Sequence, residues 1–151
     1  MRALVPGSGQ RCTGGMDILI AALVRIVAMG AALGAYHAAL PYLFPDDEGG
    51  ANIGAGLIAF GALVLISFGW AFVDGSARGI SPTIITWAIV AAVLSVGWLV
   101  VRAVVEADAS MGAAEIITHD LGTLPFILGL VLAPAAVGSV IGGALRPSQA
   151  H

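Results

Sequence analysis

Residues 18–40 read ILIAALVRIVAMGAALGAYHAAL, a continuous apolar stretch that carries a single charge, Arg25. As an α-helix that rises about 1.5 Å per residue, this stretch is about 34 Å long, enough to cross a hydrocarbon core of about 30 Å. It is apolar on all sides, whereas a buried helix of a soluble protein is shorter and carries one apolar stripe. The stretch therefore predicts a transmembrane helix.

Three further stretches of similar length and hydropathy follow along the chain. The four predicted spans cover about residues 18–40, 53–73, 83–105 and 121–145. Residues that commonly begin helices stand before them: Asp17, Asn52, Ser81-Pro82 and Asp120. Residues that commonly end helices follow three of them: Pro41, Asp74-Gly75 and Arg146-Pro147. The sequence predicts an all-α, four-helix transmembrane bundle in which consecutive spans, joined by short loops, are neighbours.

The rest of the chain is assigned to tails around one membrane domain, which we place at residues 16–146. Residues 1–15 are rich in glycine and turn-forming residues and predict a disordered cytoplasmic tail, and residues 147–151 predict a second, short one. Met16 is a second candidate for the native start. The first span is too long for the apolar core of a signal peptide, so we expect it to be retained.

The overall composition excludes several classes of function. Of the 151 residues, 59% are hydrophobic and 10% are charged, whereas a soluble domain carries about 25% charged residues. The formal net charge is −3, so nucleic-acid binding through phosphate neutralisation is excluded. Cys12 is the only cysteine, which excludes thiol oxidoreductases that need a cysteine pair. The absence of lysine beside abundant alanine, glycine and arginine is typical of a GC-rich bacterial genome.

The distribution of arginine predicts the orientation of the bundle. Four arginines fall on one side of the predicted membrane: Arg2, Arg11, Arg78 and Arg146. The connections on the other side, residues 41–50 and 106–120, are acidic. Because cytoplasmic loops carry an excess of basic residues, we expect both termini to be cytoplasmic and the protein to lie in the cell (plasma or inner) membrane.

Arg25 is the only charged residue well inside a predicted span, about 10 Å into the hydrocarbon core. One interpretation is that its long side chain extends back to the inner headgroups. The other is that it pairs inside the bundle or with a partner subunit. Within the chain, Asp74 is the nearby acid and the hydroxyl of Ser139 is another acceptor. We hypothesise that Arg25 holds the helices together in their cytoplasmic third.

Two pairs of glycines spaced four residues apart predict close helix packing: Gly30 and Gly34 in the first span, and Gly138 and Gly142 in the fourth. The two pairs lie at different depths, so we do not expect them to pack on each other. At least one pair is therefore available for another contact, either within the bundle or between subunits.

The predicted outer face gathers most of the remaining polar chemistry. If residues 111–119 form a short surface helix, Glu115 and His119 lie on one face of it and Asp120 adjoins them. Such a group suits a divalent metal, but solvated acidic loops are the preferred interpretation, with Asp46, Asp47, Glu48, Glu106 and Asp108 as further members of this outer face. His37 is a possible ligand at the outer leaflet, and with His119 it forms a candidate haem-ligand pair. The sequence requires no cofactor.

The chain has four predicted spans, with an arginine early in the first and Tyr36-His37 near the outer end of that span. This outline resembles the DoxX-like membrane proteins. The resemblance covers the number of spans and three residues of the first one, and no site is carried over from it.

The spans offer packing surfaces and one embedded charge, whereas transporters and channels ordinarily carry polar residues along several spans. We predict a small multi-pass membrane protein of structural or accessory type, acting as a homo-oligomer or as a subunit of a larger membrane complex. The alternatives are a transporter or channel subunit centred on Arg25, and a metal- or haem-binding membrane protein that uses His37 and His119. A non-enzymatic role is favoured, but an enzyme acting at the outer acidic rim is kept open.

Overall fold

The computed structural model describes residues 13–43, 50–107 and 112–146. Regular secondary structure in these residues is entirely helical. It comprises α1 (Thr13–Leu43), α2 (Gly50–Arg78), α3 (Ile80–Val105), α4 (Ala113–Asp120), a single 3-10 turn (Leu121–Thr123) and α5 (Leu124–Ala144). Most of both predicted tails, residues 1–12 and 147–151, lies outside the described residues.

Four segments are long and apolar enough to cross a membrane: Gly15–Leu43, Gly54–Arg78, Ile80–Val105 and Ala113–Ala144. The last of these runs through α4, the 3-10 turn and α5. In each, only 17% to 33% of the most apolar window is buried inside the bundle. Large apolar side chains such as Leu65, 72% exposed, and Val104, 75% exposed, point outwards. A surface of this kind suits lipid, and the prediction of an all-helical fold with four segments long and apolar enough to span a membrane is confirmed.

Several helix ends differ from those predicted. Asp17 lies inside α1, which begins at Thr13, and α1 continues through Pro41 to Leu43. Asp74 and Gly75 do not end α2, which continues to Arg78. Both residues have tertiary roles instead, because Asp74 contacts α1 and Gly75 lies against the backbone of Ser139 on α5. Asp120 ends α4 and does not itself cap α5.

Gly79 makes the turn between α2 and α3. Its φ angle of 91° is in the region that side chains disfavour, and its N–H donates to the carbonyl of Gly75 at 3.0 Å. α3 therefore begins at Ile80, ahead of the predicted start at Ser81-Pro82. Pro82 is tolerated there because the first turn of a helix has no internal acceptor for the missing N–H.

The most extensive helix packing is between α2 and α5, which are not consecutive spans. Smaller contacts join α5 to α3, and α3 to α1, while α1 and α2 touch only slightly. The centre of the bundle contains the fully buried side chains of Trp87, Val90 and Val131. The prediction that consecutive spans are neighbours thus does not include the α2–α5 contact, which is the most extensive one. Glycines at this contact allow the two backbones to approach closely.

Candidate functional site

A buried ion pair joins α1 to α2. The Nε of Arg25 donates to Oδ2 of Asp74 at 3.0 Å, and its Nη2 contacts both carboxylate oxygens at 2.5 Å. The side chains of the pair are 4% and 9% exposed. The Nη1 of Arg25 donates to the carbonyl of Ala21, one turn earlier on the same helix. The structure thus brings Arg25 to Asp74, the acid that the sequence suggested as its partner.

Two tryptophans complete the surroundings of the ion pair. The Nε1 of Trp87 on α3 donates to Oδ2 of Asp74 at 3.3 Å. The guanidinium of Arg25 lies 5.1 Å from the ring centroid of Trp70, within the range of a cation–π interaction. Trp70 and Trp87 meet edge to face with centroids 6.4 Å apart. Three helices therefore converge on one carboxylate.

Neither Trp70 nor Trp87 was predicted from the sequence to belong to this site. A usable signal exists for Trp70, because it precedes Asp74 by four residues and so shares a helix face with it. No comparable signal exists for Trp87, whose position depends on how α3 packs on α2.

The ion pair also forms a wall of a cleft of about 790 Å³ among α1, α2 and α3. Asp17 on α1 and Arg78 on α2 line the same cleft, as does Thr86 on α3. Asp17 and Arg78 are exposed. The cleft lies at the end of the bundle where α2 meets α3, because Arg78 and Pro82 are both in its lining.

Hydroxyl groups inside the spans are satisfied locally. Each of five buried serines and threonines donates to a carbonyl three or four residues earlier in the chain: Ser67, Thr83, Thr86, Ser95 and Ser139. Ser139, the alternative acceptor considered for Arg25, donates to Ala136 at 2.8 Å. These side chains therefore form no continuous polar path through the described spans.

The two glycine pairs have different surroundings. A Cβ atom added at Gly138 would collide with the carbonyl oxygen of Phe68, and one added at Gly142 with that of Phe72, so this pair packs α5 on α2. A Cβ added at Gly30 or Gly34 would meet nothing within 4 Å. The first pair therefore lies on an open face of α1.

At the opposite end of the bundle, Arg102 joins α3 to α4. Its Nε donates to Oε1 of Glu106 at 3.0 Å, and its Nη1 lies 2.8 Å from Oδ2 of Asp120. The hydrogen bond from Arg102 holds the pKa of the exposed Glu106 carboxyl below its ordinary value of 4.5. The Nδ1 of His119 is 3.1 Å from the other oxygen of Asp120. Asp120 is therefore ion-paired with Arg102 through one oxygen, and its other oxygen lies within hydrogen-bond distance of His119.

The predicted metal and haem ligands Glu115, His119 and His37 lie on two different helices. Glu115 and His119 are exposed on α4, and His37 is exposed on α1. In the described ranges, no group of three or more histidine, cysteine or acidic side chains is arranged to hold a metal ion. Asp46, Asp47, Glu48 and Asp108 lie outside those ranges. The metal assignment of Glu115, His119 and Asp120 and the ligand role of His37 stay predictions.

The described chain thus contains two polar groupings, the Arg25–Asp74 pair with its cleft and the Arg102 cluster at the other end. The first is buried and the second is largely exposed. No protein-family model, no curated protein and no solved structure matches this chain.

Proposed function

We propose that this protein is a non-enzymatic structural or accessory component of the cell membrane, which acts as a homo-oligomer or as a subunit of a larger membrane complex. The observation that carries this proposal is the neutralisation of Arg25 by Asp74 inside the bundle. A charge that serves a transport path has to face the path, whereas this one is directed at a partner on the neighbouring helix. The locally satisfied hydroxyls give further support.

The open face of α1 supports assembly with another helix. Gly30 and Gly34 have no neighbour within 4 Å of an added Cβ, so a second helix is able to approach the backbone there. Glycines four residues apart favour association in lipid, where helix contacts depend on close packing and not on the hydrophobic effect. The occupant is a helix of a second copy or of a partner subunit.

Mild-detergent purification from native membranes tests the proposal. Native mass spectrometry is expected to show a defined oligomer or a stoichiometric partner. The Gly30→Leu/Gly34→Leu variant is expected to lose that assembly, whereas Gly61→Leu, at another open helix position, retains it. A monomer without partners, or an equal loss of assembly in both variants, would contradict the proposal.

The cleft favours a second candidate, a transporter or channel subunit centred on Arg25. Arg25 lines a hollow of about 790 Å³, so a path completed by neighbouring subunits would begin beside a cation and favour anions. Chloride flux into liposomes tests this candidate. It predicts flux that the charge-neutral variant Arg25→Gln/Asp74→Asn abolishes and that the rim variant Glu115→Gln keeps. Absence of flux in the unaltered protein rejects it.

A further inference from the structure

Two hollows between the described helices follow one another along a single seam between α1 and α2. The charged cleft takes its α1 wall from residues 17–25 and its α2 wall from residues 70–78. A narrow apolar groove of about 90 Å³ continues it, with walls at residues 29–36 and 58–66 of the same helices. Arg25 and Met29 are one turn apart, as are Trp70 and Ile66, so about 6 Å of helix separates the two hollows.

Polar contacts join α1 to α2 near both ends of the seam. The Arg25–Asp74 pair joins α1 to α2 beside the cleft, and the hydroxyl of Tyr36 donates to the carbonyl of Ala55 at 2.7 Å beyond the groove. As a whole, α1 and α2 touch only slightly. The walls of the gap between the two contacts are apolar, with Met29, Leu33 and Leu63 among them.

The membrane offers a specific occupant for such a gap. From Asp17 to Tyr36 the seam follows α1 for about 29 Å, which includes the roughly 20 Å depth of one leaflet with its headgroups. An apolar gap that opens to a leaflet along its length and ends in a charged cleft matches the shape of a phospholipid. The volume of the cleft is within the range of about 300–1,000 Å³ typical of sites for small ligands.

The charges of the cleft select the headgroup. Asp74 and Arg25 satisfy each other, which leaves Asp17 on α1 and Arg78 on α2 as the exposed charges of its lining. One acid and one base on opposite walls complement a headgroup with one ammonium and one phosphate. We propose that the α1–α2 seam binds an amine-bearing zwitterionic phospholipid of the phosphatidylethanolamine type. Its phosphate lies at Arg78, its ammonium at Asp17 and an acyl chain in the groove.

Tryptophan quenching tests this site directly, because Trp70 lines the cleft and Trp87 is buried beside it. The third tryptophan, Trp98, is 43% exposed toward the other end of α3 and is removed as Trp98→Phe. The variant is reconstituted in phosphatidylcholine bilayers that contain a lipid brominated in its acyl chain. We expect the tryptophan quenching to show about fivefold higher affinity for brominated phosphatidylethanolamine than for brominated phosphatidylcholine. This is the effect of one favourable charge contact at a membrane surface. Equal quenching by the two lipids would overturn the proposal.

Substitutions then separate the headgroup contacts from the general charge of this end of the bundle. The variants Asp17→Asn and Arg78→Gln are each expected to bind phosphatidylethanolamine and phosphatidylcholine with nearly equal affinity. Arg146→Gln is the matched control, since Arg146 is exposed near Gly79 at the same end but outside the cleft. A loss of preference in Arg146→Gln as large as in Arg78→Gln contradicts the site. Stronger quenching by brominated phosphatidylglycerol contradicts the zwitterionic headgroup.

The acyl groove has its own pair of variants. Ala62→Phe places a ring in the groove and is expected to weaken quenching by the brominated lipid, whereas Ala92→Phe, on an exposed position of α3, leaves it unchanged. Free phosphoethanolamine in the aqueous phase tests whether the headgroup suffices. Displacement of the lipid by an equal concentration of phosphoethanolamine, or no effect of Ala62→Phe, would show that the groove does not hold the chain. These outcomes do not depend on the oligomeric state of the protein.

Discussion

Arg25 lies in the membrane-spanning part of α1, where a guanidinium without a counter-charge is costly. A side chain that extends to the headgroups keeps its charged end in a polar environment, but that of Arg25 is only 4% exposed and contacts Asp74. Burial of both charges requires compensation by hydrogen bonds, which Trp87 and the carbonyl of Ala21 supply. The pair thus explains how an arginine is accommodated within an apolar helix.

Removal of one partner is expected to destabilise the bundle more than removal of both. Arg25→Leu leaves a buried carboxylate at Asp74 without its counter-charge, which costs about 3–5 kcal/mol of unfolding free energy. The double variant Arg25→Leu/Asp74→Leu leaves no buried charge and is expected to recover most of that loss. Unfolding in one detergent, compared among the two single variants and the double variant, measures the coupling. Unaltered stability in Arg25→Leu would show that the pair does not hold the helices together.

The contact between Arg102 and Glu106 is expected to depend on pH. The hydrogen bond from Arg102 lowers the pKa of Glu106 in the folded protein, so the contact contributes fully above the ordinary value of 4.5. The contribution is lost as the pH falls through the lower, folded pKa. Carboxyl-carbon NMR is expected to show Glu106 titrating below 4.5 in the folded protein. Arg102→Gln should return the titration toward the ordinary value, whereas Arg146→Gln should not.

At the scale of the helix, glycine has opposite roles in α1 and α5. Gly138 and Gly142 permit α5 to contact the backbone of α2 near Phe68 and Phe72. Gly30 on α1 has the same spacing to Gly34 but faces open space. A glycine pair in the sequence therefore indicates a potential packing face without indicating which helix occupies it.

Alanine substitution distinguishes the two kinds of glycine. In Gly142→Ala the added methyl group meets the carbonyl of Phe72, so the helices must separate, and we expect a loss of about 1–3 kcal/mol. In Gly61→Ala the methyl group meets nothing within 4 Å, and the better helix propensity of alanine is expected to make the change neutral or stabilising by up to about 1 kcal/mol. Thermal unfolding of both variants checks this difference. Equal melting temperatures would argue against the close α2–α5 packing.

At the scale of the whole molecule, α2, α3 and α5 form the main packing unit and α1 is attached to it. α1 packs mostly on α3, and its polar contacts with α2 are the Arg25–Asp74 pair and the hydrogen bond from Tyr36. This arrangement leaves a seam on one side of α1 and an open glycine face. The proposed helix partner and the proposed lipid both bind to surfaces of α1.

The orientation of the molecule is tested by its only cysteine. The arginine distribution predicts that Cys12 lies on the cytoplasmic side, so a membrane-impermeant maleimide should label it only after cells are opened. The matched variant Cys12→Ser/Ala114→Cys carries its thiol on α4, at the opposite end of the bundle, and should be labelled in intact cells. Labelling of Cys12 in intact cells would reverse the proposed orientation.

The sequence by itself determined that the described chain is helical and contains four segments able to span a membrane. The reason is physical: backbone polar groups in lipid must be satisfied within each segment, so a long apolar run has a helix as its simple solution. A short helix before the fourth span entered only as a condition for Glu115 and His119 to share a face, and α4 (Ala113–Asp120) meets that condition. These features depend on residues near one another in the chain.

Only the tertiary structure decided which distant residues meet. Asp74 followed by Gly75 predicts a helix end, but Asp74 contacts Arg25, 49 residues earlier in the chain, and Gly75 contacts Ser139. Nothing in the local sequence identifies Trp87 as a hydrogen-bond donor to Asp74. Large apolar side chains occur on both the exposed and the buried faces of these helices. Hydropathy alone therefore does not show which faces pack together, and helix contacts depend on the fit of small residues and on a few polar pairs.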